Sequence, residues 1–149
     1  MKVLFAILTI GLSLIAALPL AAQVPCLAGK QKALIEGHFS GPVICSARDA
    51  TFALVGRTSG NGFSIYDYRF RFLPQGGNVM HGGQRIVVFQ HGRYLGQYML
   101  SPPPFSTLTV DGSHVVVTKM GHLENDVLDF SAGPAKEAFL DGQIEQFAR

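Results

Sequence analysis

Phe63-Ser64-Ile65-Tyr66-Asp67-Tyr68-Arg69-Phe70-Arg71-Phe72 decides the fold class of this chain. Tyr66, Tyr68, Phe70 and Phe72 recur every second residue, with Asp67, Arg69 and Arg71 between them. Successive side chains of a strand point to opposite faces, so period two predicts a strand with one aromatic face and one solvated, charged face. The charged stripe is expected to face water and to discourage edge-to-edge aggregation.

Outward from this strand the same signal repeats. Ile86–Phe89 and Tyr94–Leu100 flank His91-Gly92, and Leu108–Val110 and Val115–Val117 flank Asp111-Gly112. Such dipeptides supply the positive φ that tight two-residue turns demand, so two hairpins are expected. Residues 86–89 and 115–117 are apolar on both faces and belong inside a packed sheet. Further strands are expected at 42–46, 50–56 and 126–130. Residues 27–39 fit a helix or a strand, and a short helix over Lys136–Leu140 is admitted near the end of the chain. Ser101-Pro102-Pro103-Pro104 must leave any ladder, because proline donates no hydrogen bond, and it reads as a stiff crossover between sheets. About eight short strands with frequent turns predict an all-β fold, an antiparallel sandwich or a small barrel.

The whole chain has 149 residues, a net charge of +2 and positive mean hydropathy. Met1-Lys2, an apolar run from Val3 to Leu18 and Pro19-Leu20-Ala21-Ala22 have the layout of a secretory signal peptide cleaved after Ala22. Residues 1–22 are therefore expected to be removed, leaving 23–149 as a single exported domain in the periplasm or outside the cell, with no stable membrane span. Those 127 residues carry 11 Lys+Arg against 10 Asp+Glu. They offer no concentrated basic run for phosphates, and nucleic acid is not an expected partner. Export makes a disulfide between Cys26 and Cys45, the two cysteines of the chain, the natural pairing. A ring of that size contributes about 3 kcal/mol in the chain-entropy model.

Chemistry is sparse. There is no nucleophile elbow, no His-Glu-x-x-His helix, no phosphate-binding loop and no dinucleotide fingerprint, and no cofactor is expected. His122, Glu124 and Asp126 alternate, so an extended segment would present an imidazole and two carboxylates on one side, a partial set for a divalent metal. Gly121 and Asn125-Asp126 also suit an exposed turn whose carboxylates are merely solvated. Residues 74–83 form a long, glycine-rich polar loop, and long loops on a rigid β scaffold carry binding residues. Gln75, Asn78, Met80 and His81 are the expected contacts there.

The leading expectation is an exported, non-catalytic β domain that binds a protein or cell-envelope partner through loops or a strand edge. Two alternatives stand beside it. One is a metal-binding or metal-dependent hydrolytic domain built on His122, Glu124 and Asp126. The other is a small-molecule carrier whose interior is lined by Tyr66, Tyr68, Phe70 and Phe72.

Overall fold

A computed structural model describes residues 50–100 and 104–149 of the chain. The expected signal peptide, the Cys26–Cys45 pair, the segment 27–39 and the strand expected at 42–46 lie outside the described residues. Among the described residues nine strands form, all paired antiparallel: β1 (Thr51–Arg57), β2 (Ser64–Phe72), β3 (His81–Gln90), β4 (Arg93–Leu100), β5 (Thr107–Asp111), β6 (His114–Thr118), β7 (Asp126–Asp129), β8 (Glu137–Leu140) and β9 (Gln143–Gln146). They make a four-stranded sheet β1-β2-β3-β4, a three-stranded sheet β5-β6-β7 and the hairpin β8-β9. Among the described residues none of the sheets closes into a barrel. Among the described residues there is no helix, and so none long and apolar enough to cross a membrane.

The first two sheets pack face to face. Ile65, Ile86, Val88, Tyr98 and Leu100 of the first meet Leu108, Val115, Val117 and Leu128 of the second, all buried. The alternation along each strand places these residues on one side, and burying them supplies the main driving force for the pairing. β4 and β5 lie in different sheets; the expected crossover at Ser101-Pro102-Pro103 lies outside the described residues. The β8–β9 hairpin flanks this core. Leu140 is fully buried in it, and the Tyr98 hydroxyl donates to the Ala135 carbonyl at 2.6 Å. Burial pushes the Tyr98 phenol up to about 12, so it stays a donor throughout the neutral range.

The turns follow from local chemistry. His91 (φ 50°) and Gly92 (φ 79°) occupy the two left-handed positions of a type I′ turn between β3 and β4, as their sequence predicts. In the second hairpin the pairing Asp111↔His114 makes Gly112 and Ser113 the central residues, one place beyond the expected Asp111-Gly112. Lys136–Leu140 is not helical. Glu137–Leu140 is a strand, turned back by Asp141 (φ 53°) and Gly142 (φ 82°).

The faces of β2 are a second correction. Tyr66 and Tyr68 are buried as expected, but away from the inter-sheet core, in a separate cluster with Phe52, Val87 and Phe89. The opposite face is not solvated at Asp67, which is buried on the side turned toward the second sheet. Its carboxylate is fully engaged: Oδ2 accepts from Arg69 Nε at 2.7 Å, and Oδ1 accepts from Gln84 Nε2 at 2.9 Å. Gln84 also donates to the Ser106 carbonyl at 2.8 Å, and its Oε1 accepts the Ser106 N–H at 2.7 Å. Arg69 donates to the same carbonyl at 2.8 Å. This cage fastens the start of β5 to the middle strands of the first sheet.

Candidate docking site

The strands of the first sheet are unequal in length. β1 begins at the rung Thr51↔Arg69 and β4 ends at Leu100↔Gln84. β2 and β3 continue past that level through Phe70↔Gly83, Arg71↔Gly82 and Phe72↔His81. Among the described residues they thus project as a two-stranded finger of three rungs, about 10 Å long at the usual rise per residue. His81 is the first residue of β3 and not part of the loop, which runs over 73–80. Gly82 and Gly83 are paired strand residues for a steric reason. A Cβ on Gly83 would lie 3.0 Å from the Phe70 ring, and one on Gly82 would lie 2.6 Å from the Phe70 carbonyl oxygen. The ring of Phe70 fills the space that the missing side chain leaves.

The finger stands on a stiff root. The Asp67–Arg69–Gln84–Ser106 cage sits just below its first rung, at Arg69↔Gln84, and Arg71 lies over the Phe105 ring at 4.8 Å. Rings are stacked along it, Tyr68–Phe70 at 5.2 Å and Phe70–Phe72 at 6.2 Å, with Phe72 meeting His81 at 5.8 Å. The tip is a tight turn in which the Gly77 N–H donates to the Pro74 carbonyl at 3.0 Å, with Gly76 at φ 77°. That φ favours glycine at the third position of a type II turn. Around the turn, Phe72, Leu73, Val79 and Met80 are exposed, and so are Gln75, Asn78 and His81. The four expected contacts therefore share one tip, and the apolar residues beside them were not singled out from sequence.

His122, Glu124 and Asp126 sit in and after the β6–β7 loop. His122 and Glu124 are exposed on irregular backbone, and Asp126 opens β7. The Asp126 Oδ2 accepts the Asp141 N–H at 2.8 Å, and Lys119 pairs with the Asp141 carboxylate at 3.2 Å. These contacts tie the loop to the β8–β9 turn. Among the described residues no group of three or more His, Cys, Asp or Glu side chains is placed to hold a metal ion. The three residues instead border an open depression of about 510 Å³, which Leu123 and Phe139 also line. Among the described residues the sheet that carries Tyr66, Tyr68, Phe70 and Phe72 is open, and that stripe lies outside the inter-sheet core.

Charge adds a feature that the chain-wide average conceals. Residues 50–110 hold five arginines and one aspartate, the buried Asp67. Residues 111–149 hold seven Asp+Glu against three Lys+Arg. The charges are therefore sorted, with the first sheet cationic and the second sheet and third hairpin acidic. Counting them by segment would have found this from sequence alone.

At the far end of the sandwich, Asp129 and Ser131 form a short turn. The Ser131 N–H donates to one carboxylate oxygen at 2.7 Å and its hydroxyl to the other at 2.9 Å. First the backbone bond and then the hydroxyl hold the Asp129 carboxyl below its ordinary range, with His114 adding a smaller effect. A lowered folded pKa means the stabilisation is present at neutral pH and fades as pH falls through that lowered value. An NMR titration should find the Asp129 midpoint below that of a free aspartate. Ser131→Ala should raise it part of the way, because the backbone donor survives; an unchanged midpoint would remove the hydroxyl from the account.

No protein-family model, curated protein or solved structure matches this chain.

Proposed function

We propose that this chain is an exported, non-catalytic β domain that docks a partner protein of the cell envelope through the tip of the β2–β3 finger. The observation that carries this is the projecting, anchored hairpin, whose tip presents Phe72, Leu73, Val79 and Met80 to solvent beside Gln75, Asn78 and His81. Apolar side chains on a convex, pre-organised tip lose little conformational freedom on binding, and a few such anchors dominate the energy of many interfaces. Gln75 and Asn78 would supply the polar rim. The leader-like pattern of residues 1–22, expected from sequence, supports a partner in the envelope or beyond it.

Site-specific photo-crosslinking in intact producing cells tests this. A photoreactive residue at Asn78 should yield a discrete protein adduct, and one at Thr109, on the outer face of β5, should not. Met80→Asp should abolish the Asn78 adduct. Equal adducts from both positions, or none from Asn78, would overturn the proposal.

A further inference from the structure

The aromatic face of the first sheet is buried, although no described strand lies above it. Its cluster consists of Phe52, Tyr66, Tyr68, Val87 and Phe89 with Ala50, one residue before β1, and Phe70 and Tyr94 pack against it. This is the face turned away from the second sheet, and no residue of β5–β9 belongs to the cluster. Yet Tyr68 and Val87 are 0% exposed and Phe52 is 1% exposed. Side chains stand roughly perpendicular to a sheet, so neighbours on the same face shield their flanks and not their outer ends. Complete burial of such large rings requires another layer, about 10 Å above the sheet.

Exposure across the face outlines that layer. The buried residues occupy β1, β2 and β3. Leu54 pairs with Tyr66, and Met99 pairs with Arg85, two residues from Val87, so both point to this same face. They are nevertheless 48% and 52% exposed. Along β2, burial fades from Tyr68 through half-buried Phe70 to exposed Phe72. The layer is therefore narrower than the sheet, and it stops short of the finger.

We propose that residues 23–49 of this chain are the layer that covers the aromatic face. Residues 1–22 are expected to leave as a leader. Residues 101–103 are three in number and join Leu100, in the inter-sheet core, to the stretch holding Phe105, which lies under Arg71 on the opposite face. Residues 23–49 run directly into Ala50, itself buried in the cluster, so the tether delivers them at the β1 side of the face. Fully extended they would reach about 90 Å, against about 10 Å from β1 to β3. They carry Leu27, Leu34, Ile35, Phe39, Val43 and Ile44 to set against the rings. A tethered segment has a high effective concentration at the face and outcompetes a separate protein for it. Cys26 and Cys45 both fall within this segment, so their expected disulfide would staple the cover to itself and to neither sheet. The sandwich then has three layers, and its aromatic face serves as core and not as a ligand surface.

Photo-crosslinking of the purified full mature protein tests this. Photoreactive residues at Leu54 and Met99 stand at the rim of the covered patch. At least one of them should form an adduct within a single chain that maps by mass spectrometry to a peptide of residues 23–49. One at Thr109, on the outer face of the second sheet, should not. Hydroxyl-radical footprinting of the same protein compares its four tyrosines. Tyr66 and Tyr68 should be modified no faster than Tyr98 of the inter-sheet core, and half-buried Tyr94 faster than all three. Adducts that join two chains would assign the cover to a second copy and overturn the proposal. So would adducts that map only outside residues 23–49, no adduct from either rim position, or Tyr66 and Tyr68 modified as fast as Tyr94. The Asn78 crosslink is read at a different surface, so the finger's docking role stands or falls separately.

Discussion

Gln84→Leu is expected to destabilise the protein by about 3–5 kcal/mol, read from urea unfolding at neutral pH. Gln84 is 1% exposed and uses its whole amide: Nε2 donates to Asp67 Oδ1 and the Ser106 carbonyl, and Oε1 accepts the Ser106 N–H. Leucine has a similar volume but none of these groups. It would strand a buried N–H, remove one of two donors to the Ser106 carbonyl, and leave the buried Asp67 Oδ1 without its amide. Each unsatisfied buried group costs roughly 1–3 kcal/mol, and more beside a charge. A domain of this size has on the order of 5–15 kcal/mol in total, so the loss would be a large share of it. Gln84→Glu should be worse at neutral pH, since it sets a second carboxylate against Asp67. A cost below about 1 kcal/mol for the leucine variant would show that the cage is not what fastens β5 to the first sheet.

The same cage explains why the face of β2 was not legible in the sequence. Alternation of Tyr66, Tyr68, Phe70 and Phe72 with Asp67, Arg69 and Arg71 identifies a strand correctly, and solvating the charged side is the cheapest assumption for such a strand. What buries Asp67 are Gln84 and Ser106, which lie 17 and 39 residues further along the chain and which no local pattern couples to it. The His91-Gly92 turn was legible because its two residues alone dictate the backbone. Asp141-Gly142 carries the same signal between Phe139-Leu140 and Gln143-Ile144, and it outweighs the helix-compatible Lys136–Leu140 run. The finger was half legible. Its polar loop stands out by length, but Gly82 and Gly83 look like loop residues until the Phe70 ring above them is seen. The depression was half legible: His122, Glu124 and Asp126 stand out by their alternation, but Phe139 joins them only through the contacts of Asp126 and Lys119 with Asp141.

Gly96→Val should release the segment 147–149 and expose the edge of β4. A Cβ at Gly96 would lie 2.6 Å from the Phe147 ring and 2.7 Å from the Ala148 carbonyl oxygen, so backbone as well as side chain must move. Gly96 is outside the left-handed region, and crowding alone opposes the substitution. The contacts at stake are the paired bonds between Gln97 and Ala148 (2.8 and 3.0 Å), Arg149 Nε to the Leu95 carbonyl (3.2 Å), and the Phe147 ring against Tyr98 at 4.9 Å. Their loss is expected to cost about 2–4 kcal/mol, mostly from exposing half-buried Phe147 and from the two ladder bonds. In an uncrowded strand, replacing glycine would instead stabilise by roughly 0.5–1 kcal/mol through the unfolded state, so the sign of the change discriminates. Hydrogen exchange should show the Gln97 amide losing its protection. The freed N–H and C=O groups of β4 would then offer a template for strand addition, seen as concentration-dependent light scattering. Removing residues 147–149 should reproduce both effects. In that shortened chain Gly96→Val should turn neutral or stabilising, because the group it collides with is gone. If Gly96→Val is as damaging there as in the full chain, its cost comes from somewhere other than the tail.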